Sequence, residues 1–503
     1  GRVTSVVGCR INPSSILTHY SHPKGGGVAK GDDQGRKAMT MPDQMPPRQI
    51  DCFKAYDVRG RLGSELDTDM AYRIGRAFAQ VLGARDVIVG RDTRETSPEL
   101  AASLIRGLND AGANVRDLGL AGTEEMYFAT AHFGADGGIE VTASHNPIDY
   151  NGMKLVGRGA APLDPEGDFA RLADLARSGG FAASERRGET RDFPEARAAY
   201  ARAIADFVDV SALRPLTVLV NAGNGTAGPT FDAIAAELAA RGAPLRFIRI
   251  NHDPDSSFPN GIPNPLLPEN QPMTADAVRA HGADLGVAWD GDFDRCFFFD
   301  EHGGFIPGEY IVGLLATAFL EKHPGEKIVH DPRVVLNTRD MIARAGGQAV
   351  QARTGHAYLK RAMREENAIY GGEMSAHHYF RDFHFADSGM VPWLLVAELM
   401  GRQGTSLGAL LAERMRAFPS SGEINFRLED PGAAIDRVVA RFEPMAVARD
   451  DTDGISLEFG DWRFNLRRSN TEPVVRLNVE SRGDAGLVAT RRAEIEALLT
   501  APA

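Results

Sequence analysis

Apolar residues recur along this chain at helical spacing and at alternating spacing by turns, and that alternation sets the expected fold. Met70, Ile74, Ala77, Phe78 and Val81 share one face of a helix over 68–83, and an apolar strand follows at 86–90. A second helix, 97–112, stops at Gly112 and leads into a strand at 114–118. The rhythm runs on to about residue 415, which predicts α/β domains. A helix over 308–322 ends at His323-Pro324-Gly325, where proline and glycine stop it. Ile139 and Val141 alternate with polar neighbours in another strand. Asn151-Gly152 is a hairpin-turn signal, with 153–156 as the return strand. After Pro419 the pattern changes: strands at 422–428, 454–466 and 473–480, a helix at 431–446 and a final helix predict a short α+β unit.

Residues 1–48 carry no such periodicity. They are rich in Gly, Pro, Ser and Lys, hold Gly25-Gly26-Gly27, and are expected to be a disordered extension in which Met39, Met41 and Met45 are alternative starts. No basic region followed by an apolar core of signal-peptide length is present, which argues against secretion. A polar segment at 176–194, with Gly179-Gly180, marks the first boundary region. The expected domains are 49–199, 200–303, 304–418 and 419–503.

At 503 residues, 43% hydrophobic and 25% charged, the chain exceeds a single core and builds several globular domains. A net charge of −12 argues against nucleic acid or an anionic membrane as partner, though local basic residues can still hold an anionic small molecule. Three cysteines, Cys9, Cys52 and Cys296, are too few and too scattered for a disulfide framework or a metal site. The longest apolar runs, near 310–320 and 390–400, are too short to span a bilayer. A cytoplasmic protein, monomer or homodimer, is expected.

Each unit contributes one unusual loop. In the first, Thr142-Ala143-Ser144-His145-Asn146-Pro147 holds a hydroxyl between two strands, with Lys154 ten positions on. Such a serine fits a nucleophile, a phosphate carrier or plain turn chemistry. In the second, an apolar strand enters Asp290-Gly291-Asp292-Phe293-Asp294-Arg295. Three carboxylates at every second position repel one another unless a cation sits among them, and hard oxygen ligands suit Mg²⁺; a solvated acidic turn is the alternative. In the third, Gly371-Gly372-Glu373-Met374-Ser375-Ala376-His377-His378 offers Glu373 and Ser375 to sugar hydroxyls and His377 as a proton acceptor, although paired histidines also occur as structural residues. Arg353-Thr354-Gly355-His356 is a further polar loop before a helix. In the fourth, Arg467-Arg468-Ser469-Asn470-Thr471-Glu472-Pro473 brings guanidinium, hydroxyl and amide donors together, which either grips a phosphate dianion or is an incidental surface loop. Gly223-Asn224-Gly225-Thr226-Ala227-Gly228 follows a strand and opens a helix, matching the dinucleotide fingerprint, but Pro229 and the loose spacing to an acid favour structural glycines over nicotinamide binding.

With these loops in order, and with Ala55-Tyr56-Asp57-Val58-Arg59-Gly60 and Gly122-Thr123-Glu124-Glu125-Met126 before them, the chain resembles the α-D-phosphohexomutase superfamily over about 51–483. The resemblance implies a four-domain fold, three mixed α/β domains plus a C-terminal α+β domain around a central cleft. It implies that Ser144 is a phosphoserine and that Asp290, Asp292, Asp294 and the serine phosphate ligate one Mg²⁺ per chain. Arg59 and Lys154 then stand beside the transferring phosphoryl group, and Arg295 can add to the positive charge that phosphoryl transfer needs. Glu373, Ser375 and His356 bind the sugar, His377 acts as base, and Arg467, Ser469, Asn470 and Thr471 clamp the unreacting phosphate. A hexose 1,6-bisphosphate is the implied intermediate and activator. The Glu-Met-Ser-Ala-His and Ser-Asn-Thr-Glu-Pro variants resemble members acting on mannose phosphate, interconverting its 6- and 1-phosphates, with glucose phosphate as the alternative or second substrate. Two positions depart from the usual pattern: Phe293 and Ala376 stand where many members have glycine.

Overall fold

A computed structural model describes residues 44–49, 52–468 and 474–501. Four sheets follow one another along the chain. The first has six strands in the order Val58–Arg61, Tyr150–Gly157, Gly137–Val141, Asp86–Arg91, Asn114–Leu120, Thr190–Asp192. The second has five: Phe305–Ile306, Cys296–Phe299, Leu285–Trp289, Leu216–Asn221, Leu245–Ile250. The third runs Gln348–Gln351, Lys327–His330, Tyr370–Gly372, His378–Phe380, Ala386–Asp387. All three mix parallel and antiparallel pairs and carry helices between strands, whereas the fourth, built within 420–481, is antiparallel throughout.

The first three sheets share one device. In each, a strand parallel to one neighbour ends in a loop and returns as an antiparallel partner: Gly137–Val141 to Tyr150–Gly157, Leu285–Trp289 to Cys296–Phe299, and Tyr370–Gly372 to His378–Phe380. The serine, aspartate and Glu-Met-Ser-Ala-His loops are these three turns, at the carboxyl ends of their parallel strands, where ligands bind in open α/β sheets.

Local chemistry explains the elements. Helix Thr68–Leu82 begins at Asp67, whose side chain accepts from Met70 N–H, and ends at Gly83 in the left-handed region. It packs on Ser97–Asp110 through paired glycines: a Cβ on Gly75 would lie 2.2 Å from the Leu104 carbonyl oxygen, and one on Gly107 2.1 Å from that of Tyr72. One apolar cluster runs from the first sheet through the third, including Phe128, Tyr200, Trp289, Phe383 and Trp393. The fourth sheet has its own core around Phe442, Trp462, Phe464 and Leu477.

Three sequence expectations are corrected. Asn151-Gly152 is not the hairpin turn; both residues lie inside Tyr150–Gly157 and pair with Gly60 and Arg59. Glycine is needed there because a Cβ would meet the Val58 carbonyl oxygen at 2.2 Å, and buried Asn151 donates to Thr96 and Ser97 hydroxyls. The turn is the longer 142–149 loop. The strand expected over 454–466 is two, Ile455–Glu458 and Trp462–Arg468, broken around Gly460 in the left-handed region. Within the extension expected to be disordered, Met45 N–H donates to the Gly179 carbonyl (3.0 Å) and Arg48 pairs with Asp67 and Asp69 (both 2.9 Å). The remainder of that extension, with Cys9, lies outside the described residues.

Candidate active site

The serine loop is held from behind. Arg94 is buried; one terminal nitrogen donates to the carbonyls of Pro147 (2.9 Å) and Tyr150 (3.0 Å), the other to those of Ser144 (3.1 Å) and Asn146 (2.5 Å). Asp92 accepts from Arg94 N–H and the Ser97 hydroxyl through one oxygen and from Ala143 N–H through the other. Ser144 thus takes φ 49°, a left-handed conformation that a non-glycine residue keeps only when its surroundings impose it. Sequence reasoning passed over Arg94. Its signal was the polar run Gly90-Arg91-Asp92-Thr93-Arg94 at the end of an apolar strand.

Opposite this loop stands the triple-aspartate turn. The Ser144 hydroxyl donates to Asp290 Oδ2 at 2.5 Å, and Arg295 reaches the same oxygen at 2.6 Å and Ser144 Oγ at 3.3 Å. Lys154 Nζ donates to Asp292 Oδ2 at 2.8 Å and also contacts Asp294. All three aspartates are buried, yet the Oδ1 atom of each makes no hydrogen bond within the protein, and oxygens of the three lie within 4.8 Å of one another. Buried, hard oxygens left without hydrogen bonds and close to one another fit a divalent cation, because an unsatisfied buried carboxylate oxygen is otherwise disfavoured. The donor set therefore supports a metal cofactor. Burial and the neighbouring Asp294 and Asp292 charges push the Asp290 carboxyl up, with Arg295 opposing them. Burial disfavours the Lys154 cation, but Asp292 and Asp294 hold its proton firmly. Backbone contacts fix the turn: Thr226 donates its N–H (3.1 Å) and hydroxyl (2.9 Å) to the Gly291 carbonyl, and Thr123 donates its hydroxyl to Asp292 Oδ2 at 2.6 Å.

The third loop adjoins the second. His377 lies 3.6 Å from Asp294 and 3.1 Å from Glu373. Burial opposes its charge, but the two neighbouring carboxylates outweigh it and raise the ring's pKa to about 9. In this geometry the ring holds a proton rather than standing ready to accept one. Glu373 also accepts from Tyr379 (2.7 Å) and from Gly355 N–H (2.9 Å), which draws in the loop carrying His356. His356 pairs with Asp57 at 3.1 Å, and Asp57 with Arg59 at 3.7 Å. Although burial raises its pKa, His356 and Arg59 outweigh that and hold the Asp57 carboxyl at about 2. Arg59 also donates to the Thr142 carbonyl at 2.8 Å, joining this group to the serine loop.

Arg333 was missed by sequence reasoning. It donates to Ser375 Oγ at 3.1 Å, pairs with Asp331, and lies 3.6 Å from Glu423. Glu423 accepts from Arg467 at 2.9 Å, so the candidate phosphate clamp is linked to the sugar loop. No motif marked Arg333, since Asp331-Pro332-Arg333 reads as an ordinary strand-to-helix turn. Ser469, Asn470 and Thr471 lie outside the described residues. Asp387, ion-paired with Lys360 at 2.8 Å, faces Asp294 and His377 and was likewise not anticipated. The other candidates, from Ser144 to Arg467, form one continuous polar network.

The glycines of the Gly223–Gly228 loop have a packing role. A Cβ on Gly225 would lie 2.7 Å from the Gly291 carbonyl oxygen, and one on Gly228 1.9 Å from that of His252.

Comparison with known proteins agrees with this geometry. Models of phosphoglucomutase/phosphomannomutase α/β/α domains I, II and III match residues 51–176, 198–304 and 307–418, and the C-terminal domain model matches 423–498. The chain is 59% identical over 452 residues to a phosphomannomutase of Salmonella montevideo, covering 90% of this chain and 99% of that protein. It is 54% identical over 450 residues to a protein of Xanthomonas campestris named phosphohexose mutases, with the same coverage. A crystal structure of a phosphoglucomutase/phosphomannomutase family protein from Burkholderia thailandensis superposes with TM-score 0.78 at 33% identity, covering 90% of this chain and 98% of that one. The chain belongs to the phosphoglucomutase/phosphomannomutase family, within the α-D-phosphohexomutase superfamily.

Proposed function

We propose that this protein is a mutase that interconverts mannose 6-phosphate and mannose 1-phosphate, using Ser144 as a phosphoryl carrier. The observation that carries the reading is the Ser144 hydroxyl 2.5 Å from Asp290, beside three buried aspartates with unpartnered oxygens. In the cycle, phospho-Ser144 gives its phosphoryl group to the free hydroxyl of a hexose phosphate. The resulting hexose 1,6-bisphosphate turns over in the cleft, and Ser144 takes back the other phosphate.

A phosphomonoester is inert in water, so transfer needs positive charge on the equatorial oxygens and an in-line acceptor. One Mg²⁺ held by Asp290, Asp292, Asp294 and the serine phosphate would supply part of that charge. Arg295, already 3.3 Å from Ser144 Oγ, supplies more, and Arg59 and Lys154 flank the same group. Asp290 Oδ2 accepts the hydrogen bond of the free Ser144 hydroxyl and is placed to take its proton as Oγ is rephosphorylated. Glu373 and Ser375 orient the sugar and His356 borders it; His377 would take the proton of the reacting sugar hydroxyl once Asp294 and Glu373, engaged by metal and sugar, no longer hold the ring protonated. Arg467, with Ser469, Asn470 and Thr471, grips whichever phosphate is not reacting.

Mannose is supported by the name of the 59%-identical relative. Glu373 and Ser375 contact positions that glucose shares, so glucose phosphate is turned over as a poorer second substrate. Two measurements test the proposal. Ser144→Ala should abolish turnover, and near-wild-type rates in that variant would rule the carrier out. Wild-type kcat/KM should be higher for mannose 1-phosphate than for glucose 1-phosphate; the reverse order would reassign the substrate.

A further inference from the structure

The aspartate turn contains a residue that its own backbone geometry disfavours. Phe293 takes φ 48°, in the left-handed region, where any side chain costs roughly 1–2 kcal/mol and glycine costs nothing. A bulky aromatic persists there only if its ring is held. It is fully buried, and the group it rests on is Gly122. A Cβ on Gly122 would lie 2.0 Å from Phe293 Cε1 and 2.3 Å from Cζ, so the ring occupies the space that glycine leaves.

This contact crosses from one domain's sheet to the next at a decisive place. Gly122 caps the helix Thr123–His132 of the first unit, and Thr123 bonds Asp292 through both its N–H (3.3 Å) and its hydroxyl (2.6 Å). On the turn itself, Phe293 N–H donates to the Asp290 carbonyl at 3.2 Å. A Cβ on Gly389 would meet the Phe293 carbonyl oxygen at 2.3 Å, which closes the other side. Phe293 sits between Asp292 and Asp294 in sequence, and Oδ1 of each is among the orphaned oxygens. Thr226 and Thr123 hold the neighbouring backbone and Lys154 offsets part of the carboxylate repulsion, while the residue between Asp292 and Asp294 is held by its seated ring.

We propose that Phe293 is a positioning residue for the divalent-metal site: its ring, seated on Gly122, holds the left-handed turn that aims Asp292 and Asp294 at one point. The ring acts on metal affinity through pre-organisation and touches neither substrate nor metal. The inference rests on the metal reading of the aspartate triad, and its test separates the two.

The test is Mn²⁺ binding to the dephosphorylated full chain, followed by electron paramagnetic resonance of the free ion. Phe293→Ala removes the ring but keeps a Cβ that disfavours the left-handed backbone. Its Kd should rise at least about tenfold, or about 1.4 kcal/mol. Gly122→Ala leaves the turn's sequence intact but forces the ring out, and should weaken binding similarly. The double variant should bind no worse than Phe293→Ala, because the clash needs both groups. A ring that merely fills space would lower the melting temperature of these variants while leaving Mn²⁺ affinity unchanged. Wild-type affinity in Phe293→Ala and Gly122→Ala overturns the proposal. Wild-type Mn²⁺ binding that survives Asp292→Asn overturns the metal reading itself, and the proposal with it.

Discussion

Arg94 shows how one side chain can shape a reactive loop without facing the reaction. Its guanidinium satisfies four backbone carbonyls of the serine loop, and its neighbour Asp92 ties the loop from the amide side. Both side chains are only 2% exposed, so water cannot replace either one. Arg94→Ala leaves a buried carboxylate uncompensated and four carbonyls short of a donor. The expected loss is about 3–5 kcal/mol of unfolding free energy, read from urea denaturation. Activity should fall further than the folded fraction does, because Ser144 loses its enforced left-handed backbone. A variant with wild-type stability would show that the loop is held by other contacts.

At the scale of elements, fold class was legible from apolar spacing. Helix 68–83 and the strand at 86–90 appear as Thr68–Leu82 and Asp86–Arg91, and helix 308–322 as Gly308–Lys322. Apolar content marked these elements because they are buried nearly all round: residues 70–79 of the first helix, 87–90 of the strand and 308–316 of the later helix are buried throughout. Asn151-Gly152 misled for an equally physical reason. The pair is the usual signature of a tight turn, but here Gly152 is required by the close approach of Val58 and Arg59 from the neighbouring strand, a contact far away in sequence. Accordingly, Gly152→Ala should push the Val58–Arg61 strand outward. We expect a cost of about 1–3 kcal/mol in thermal or chemical unfolding, with Arg59 displaced. An unchanged midpoint would mean the edge strand yields freely. The site was legible wherever polar residues clustered in one loop, as at 290–295. Arg94, Arg333 and Asp387 escaped because their partners come from other loops and only the fold joins them.

For the whole molecule, one apolar cluster joins the first three sheets on one side, each of those sheets has a further cluster of its own, and the fourth sheet carries a separate core. The fourth meets the third through polar contacts: Arg463 donates to the carbonyls of Arg333 (3.1 Å) and Pro332 (2.6 Å), and Glu480 accepts from Val335 and Leu336 N–H. Buried neutral histidines add a pH dependence to the stability of the whole. Burial lowers His330 from 6.5 to about 4 and His378 from 6.5 to about 3. Above about pH 6.5 both rings are neutral folded or unfolded, and they contribute no slope. Below it the unfolded chain takes up protons first, so stability falls with pH until the folded-state values are reached. Each ring contributes up to about 1.4 kcal/mol per pH unit. Unfolding free energies measured from pH 7 to 5 should therefore decline less steeply in His330→Gln than in the wild type; identical slopes would show that His330 does not titrate as its burial implies.

Phosphoryl storage on Ser144 is the claim on which the functional account depends, and peptide mass spectrometry tests it most directly. The protein is first dephosphorylated, then incubated with hexose 1,6-bisphosphate and Mg²⁺, and digested. One phosphoryl group should appear on the peptide containing Ser144 and on no other, and should be absent from Ser144→Ala treated in the same way. A phosphate on a different residue, or turnover of mannose phosphate by protein that never carries one on Ser144, would contradict the account.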